Sequence, residues 1–164
     1  MQNPTGAVAW TSSDGTSWTR DESPAFANGE AVSVAAGPQA GVVAVGAQID
    51  RSVAVSWASP DGKTWARAPD EPSRIHQGGF AWMTDVVSVG AVAIAVGDVQ
   101  GLQRGTAVGW ISRDGLTWQI STQAPVQEGA EFYGITPAGS GALAVGAFGI
   151  PDSYVPEVWQ SPAY

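Results

Sequence analysis

Short stretches of alternating apolar and polar residues recur along the chain, each followed by a cluster of turn-forming residues. Ala7–Trp10, Val53–Trp57 and Thr106–Trp110 alternate with the period of two expected of half-buried strands. Val42–Val45, Val92–Val96 and Leu143–Val145 are near-continuous apolar runs, the pattern of strands covered on both faces. Ahead of each run lies a further candidate strand, at Ala31–Ala35, Met83–Val89 and Tyr133–Thr136. No stretch carries a convincing helical period, so the pattern predicts an all-β chain of short strands.

The turns between these strands share one phrase, Trp-x-Ser-x-Asp-Gly-x-(Ser/Thr)-Trp, at Trp10–Trp18, Trp57–Trp65 and Trp110–Trp118. A fourth copy begins at Trp159-Gln160-Ser161, so the first tryptophans are spaced 47, 53 and 49 residues apart. Ala-Val-Gly recurs with the same period, ending at Gly46, Gly97 and Gly146. Seven of the eight tryptophans belong to the first phrase, which removes chance as its explanation. A period of this length signals a propeller, a solenoid or a similar array. Within the phrase, Asp14, Asp61 and Asp114 are suited to accept hydrogen bonds from amides just downstream. Gly15, Gly62 and Gly115 supply the positive φ of a tight hairpin, and Trp18, Trp65 and Trp118 open the returning strand. Ser12, Ser59 and Ser112 are expected to bond within the same turn.

The phrase resembles the Asp box, or BNR repeat, of sialidase-like β-propellers, one residue tighter than the usual Ser-x-Asp-x-Gly-x-Thr-Trp. Paired with Ala-Val-Gly, it looks like secreted or surface-attached bacterial repeat proteins. The resemblance implies four-stranded antiparallel blades of about fifty residues, numbered 1 to 4 from a central channel outward. Residues 1–20 then form the outer strands of a split blade, 21–68 and 69–121 two full blades, and 122–164 the inner strands of the split blade. Propellers hold about four to eight blades. The expected ring is therefore a piece of a longer propeller, or a six-bladed homodimer in which each copy completes the other's split blade. Val158-Trp159-Gln160-Ser161 duplicates part of Val8–Ser12, so one of the two is expected to be displaced. A β-trefoil, also three repeats of four strands, is the rival architecture.

Charge narrows the partners. Fifteen carboxylates face Lys63 and six arginines, a net −8, which repels phosphate backbones and makes nucleic acid and anionic membranes poor partners. No apolar run approaches the roughly eighteen residues of a membrane span. No signal peptide is visible at Met1–Gly6, yet the resemblance implies an extracellular or cell-surface setting. The chain has no cysteine, His76 stands alone and no Asp-x-Asp-x-Asp-Gly loop occurs, so neither metal nor cofactor is expected.

In propellers the loops around one mouth of the channel carry ligand sites. Here those loops are Asp21–Asn28, Pro69–Phe80 and Ser121–Phe132, together with the segments carrying Asp98, Arg104 and Tyr154. The candidate ligand-binding residues are Trp82, Asp85, Tyr133, Glu131, Arg74, His76, Arg104 and Tyr154. Trp82 and Tyr133 lead, because aromatics at a mouth stack well on ligands. Surface loops are polar in any case, so each single charge is more readily read as merely solvated. The resemblance assigns the three Asp boxes to structure, away from any active site. Sialidase chemistry would need three converging arginines, a Tyr–Glu pair and an acidic Asp. Arg20 and Arg67 fall on outer strands, whereas Tyr133 and Glu131 are the one neighbouring Tyr and Glu. The expected function is a non-catalytic binding scaffold for a glycan or peptide. The alternatives are a sialidase-like glycoside hydrolase and a self-assembling propeller fragment without a ligand.

Overall fold

A computed structural model describes residues 6–39, 41–49, 53–69, 80–100, 105–121, 127–150 and 153–163. Arg74, His76 and Arg104 lie outside them. Strands β1 (Ala9–Thr11) and β2 (Thr19–Asp21) form a two-stranded hairpin. Strands β3 (Gly29–Ala36), β4 (Val42–Gln48), β5 (Val53–Ser59) and β6 (Ala66–Arg67) form a second sheet in chain order. The third comprises β7 (Phe80–Val89), β8 (Val92–Gln100), β9 (Gly105–Ser112) and β10 (Trp118–Ile120), with β11 (Gln127–Glu128) also pairing β9. The fourth holds β12 (Ala130–Ala138), β13 (Gly141–Ile150) and β14 (Ser153–Gln160). Every pairing is antiparallel and no sheet closes into a barrel. The chain is all-β; among the described residues the one helical element is a 3-10 turn at Pro24–Phe26. No helix there is long and apolar enough to cross a membrane.

The strands run further than alternation alone suggests, and a repeated irregularity explains it. Pairing shifts register between Ala31 and Ser33, between Met83 and Asp85, and between Phe132 and Gly134, so Val32, Thr84 and Tyr133 are extra residues in matching bulges. A bulge twists the strand and breaks the two-residue period while pairing continues beyond it. Opposite the bulges stand Gly46, Gly97 and Gly146. A Cβ at any of them would fall on the carbonyl oxygen of Glu30, Trp82 or Glu131 respectively. The glycine of Ala-Val-Gly is thus required by close backbone approach, not by a special φ. Asp98, Glu131 and Tyr154 are strand residues of β8, β12 and β14, where sequence pattern alone placed them in loops.

Adjacent sheets pack face to face. Val43 and Val45 of the second sheet meet Met83, Val86, Trp110 and Trp118 of the third. Val96 and Ala107 of the third meet Phe132, Ala144 and Trp159 of the fourth. Ala7 and Ala9 cover Phe26, Val55 and Trp57. Trp57 satisfies its indole N–H with the Ala25 carbonyl at 2.7 Å, which allows full burial of a side chain with a polar tip.

Candidate functional site

The three Asp-Gly turns are built alike. Gly15, Gly62 and Gly115 have φ of 73°, 73° and 76°, a region that side-chain-bearing residues avoid. Asp14 Oδ1 accepts from the amides of Thr16 and Ser17 at 2.8 and 2.7 Å. Asp61 does the same for Lys63 and Thr64 at 2.8 and 2.6 Å, and Asp114 for Leu116 and Thr117 at 2.8 and 2.7 Å. The hydroxyls of Ser12, Ser59 and Ser112 donate to these carboxylates and accept from the Asp amides. The amides of Ser17 and Thr16 hold Asp14 far below the ordinary carboxylate range. Those of Thr64 and Lys63 bring Asp61 down to about 2. For Asp114, burial works against ionisation, but the Thr117 and Leu116 amides outweigh it and the pKa is lowered. A carboxylate this firmly ionised and occupied is a poor proton donor.

Asp85 has a structural position too. Its Oδ1 accepts from Ser33 Oγ at 2.6 Å and from its neighbour's amide, Val86 N, at 2.9 Å. Its Oδ2 accepts from Ile135 N at 2.8 Å. One carboxylate therefore ties β3, β7 and β12, the first strands of three sheets. Beside it, Thr84 Oγ1 lies 3.1 Å from the Val96 carbonyl and 2.9 Å from that of Phe132.

A different set gathers where β8 ends and β12 and β14 begin. Tyr133 sits on the β12 bulge, 56% exposed, and its hydroxyl donates to Glu131 Oε2 at 3.1 Å. Asp98 is partly buried; burial, then the nearby Glu131 charge, push its carboxyl up to about 6, against a bond to Gln100. Burial first, then the Glu131 bond and the charges of Glu131, Tyr154 and Asp98, raise the Tyr133 phenol. Those couplings place Asp98, Glu131, Tyr133 and the exposed Tyr154 in one electrostatic neighbourhood. Trp82 joins by register, as it directly opposes Asp98 across β7 and β8, so the two side chains share a face. The chain matches no protein-family model, and no curated protein is significantly similar to it.

Two tyrosines and two carboxylates thus share one electrostatic neighbourhood, with Trp82 on the same sheet face as Asp98. Such a group offers flat apolar faces, hydroxyl donors and acceptors for a polar ligand. Glu131, Tyr133 and Tyr154 are sequence candidates in this neighbourhood and Trp82 reaches it through Asp98, whereas the Asp85 carboxylate is taken up by its three-strand tie. Asp98, which the sequence places in a segment around the mouth without singling it out as a binding residue, joins them. Arg20 and Arg67 occupy β2 and β6, directly opposite Trp10 and Trp57. Arg113 lies in the third Asp-Gly turn, its carbonyl accepting from Gln39 Nε2 at 2.9 Å. Among the described residues, no group of three or more His, Cys, Asp or Glu is arranged to hold a metal ion.

Proposed function

We propose that the four sheets are β-propeller blades and that the chain is a non-catalytic binding scaffold with its ligand site at Asp98, Glu131, Tyr133, Tyr154 and Trp82. Three features support the propeller reading: successive antiparallel sheets in chain order, bulged first strands tied through Asp85, and no closed barrel of the kind a trefoil requires. The observation that carries the binding reading is the exposed Tyr133 hydroxyl held by Glu131 beside the raised carboxyl of Asp98. A carboxyl that titrates near neutrality both donates and accepts hydrogen bonds, which suits the hydroxyls of a glycan or the backbone of a peptide. The acidic surface favours neutral or cationic ligands over anionic ones. An extracellular or cell-surface setting, where such ligands are displayed, belongs to the same reading. Binding to an array of neutral and sialylated glycans and basic peptides tests it. Tyr133→Ala should weaken any hit at least tenfold, and a hit indifferent to Tyr133→Ala and Trp82→Ala refutes the site.

A sialidase-like hydrolase is the second reading, favoured by the same Tyr133–Glu131 bond next to a protonatable Asp98. It also needs arginines converging on the substrate carboxylate, and Arg20, Arg67 and Arg113 belong to outer strands and a turn. Turnover of a fluorogenic sialoside that disappears in Tyr133→Phe would replace the first reading with this one.

A further inference from the structure

Within the chain, each blade seats its Asp-Gly turn on the blade before it. A Cβ at Gly115 would stand 3.3 Å from Val43 Cγ2 and 3.4 Å from Ala58, and the Trp118 indole donates to Ser56 Oγ at 2.7 Å. A Cβ at Gly62 would stand 3.5 Å from Thr11 of the hairpin. Gly15 has nothing within 4 Å, and Trp18 is 57% exposed where Trp118 is 6%. The first turn therefore has the same chemistry and no seat.

Two empty places match the unseated parts. A groove of about 160 Å³ is lined by Ile111, Ser112, Arg113 and Thr117. Their repeat equivalents, Ala58, Ser59, Pro60 and Thr64, line the groove that holds Asp114 and Leu116. A second groove, about 330 Å³, runs between Val8 and Trp10 of the hairpin and Val32, Val34 and Ala44 of the second sheet. It lies where a preceding blade's inner strands would pack. The β12–β13 pair is such a set of inner strands, with its free face open at Val145, 45% exposed, where the equivalent Val45 and Val96 are buried.

Resting on the propeller reading, we infer that a second copy of this chain fills both grooves. The β1–β2 hairpin of one copy becomes the outer half of the other's β12–β13 blade, with its Asp14–Gly15 turn seated at Ile111. The β12–β13 face of that partner enters the groove at Val32 and Val34. The occupant is chosen by complementarity: the unburied hairpin and the unburied β12–β13 face are, by repeat equivalence, the shapes that the two grooves fit.

The exchange puts β1 at the edge of β13 that β14 now holds. The repeat favours β1 there. Ala54 and Ala107 occupy the third strands of the complete sheets at the position three before the tryptophan. Ala7 matches them in the hairpin, and β14 has Pro156. Ala7 N donates to Gly29 O at 2.8 Å, linking the hairpin to the next sheet, and Pro156 has no N–H for that bond. As a strand containing proline, β14 is suited to an outer edge, not a sheet interior.

Size exclusion with light scattering should show a species near twice 16.8 kDa. Val34→Glu, at an exposed site that leaves the monomer folded, should return it to monomer. Trp10→Ala should weaken association at least tenfold, while Trp159→Ala should leave it unchanged or tighter. The chain has no cysteine, so Ala9→Cys with Val145→Cys reports directly, because Ala9 is the repeat equivalent of Val158, the present partner of Val145. Oxidation of that variant should give a covalent dimer. A wild-type chain monomeric at every concentration overturns the proposal, as does an oxidised double variant that stays monomeric. The reverse ranking of Trp10 and Trp159 overturns the strand exchange. Failure to bind glycans or peptides bears on the ligand site alone.

Discussion

Asp85→Ala separates a structural carboxylate from a ligand-binding one. The side chain accepts from Ser33 and Ile135, on two different neighbouring sheets, at 2.6 and 2.8 Å, besides the local Val86 amide. A hydrogen bond to a charged group contributes about 1.5–3 kcal/mol net, and removal leaves the partly buried Ile135 amide without its acceptor. Losing the two cross-sheet bonds should therefore cost about 3–5 kcal/mol, a large share of the roughly 5–15 kcal/mol that holds a domain folded. Urea unfolding, followed by tryptophan fluorescence at fixed protein concentration, measures the loss. The Ser33→Ala, Asp85→Ala double-mutant cycle should show a coupling of about 1–2 kcal/mol. Asp85→Asn should fall between, since its oxygen still serves Ser33 while its amide faces the Ile135 N–H. A cost below about 1 kcal/mol with additive single effects would refute the inter-sheet tie and return Asp85 to the list of ligand groups.

Asp98 sets a pH dependence. Its folded pKa of about 6 lies above the ordinary 3.8, so between these values the folded chain keeps a proton that the unfolded chain releases. The Asp98 contribution to stability should fall as pH rises from 4 to 6 and then level off. Asp98→Asn should match wild type near pH 4 and exceed it above pH 6 in urea midpoints; parallel profiles would show that Asp98 titrates normally. Gly97→Ala forces a Cβ onto the Trp82 carbonyl, whereas Gly139→Ala meets nothing within 4 Å and bears only the strain of its φ of 63°. The first should cost several times the roughly 1–2 kcal/mol of the second, and equal unfolding energies would refute the close-approach account. Trp110→Ala, at a fully buried ring, should cost about 3–5 kcal/mol. Trp10→Ala, at a ring 53% exposed, should cost under about 1 kcal/mol in dilution where the chain is monomeric. Calorimetry of both variants checks the ranking.

What the sequence determined by itself is local and periodic. Strand alternation, the turn chemistry of Ser12, Asp14 and Gly15, and the fifty-residue period depend on neighbours a few residues apart, so they are legible without a fold. Strand ends were misplaced because the bulges at Val32, Thr84 and Tyr133 break alternation while pairing continues past them. Ala-Val-Gly was visible as a motif, but its reason was not, because the carbonyl that excludes a Cβ lies on another strand. The site divides the same way. Trp82, Glu131, Tyr133 and Tyr154 stood out by residue type, yet only packing separated Asp85, occupied by Ser33 and Ile135, from Asp98, half-buried beside Glu131. Those partners lie about fifty residues away from Asp85 in either direction along the chain, and 33 beyond Asp98. A carboxylate's role depends on which donors and charges surround it, and here sheet register and sheet-on-sheet packing choose them.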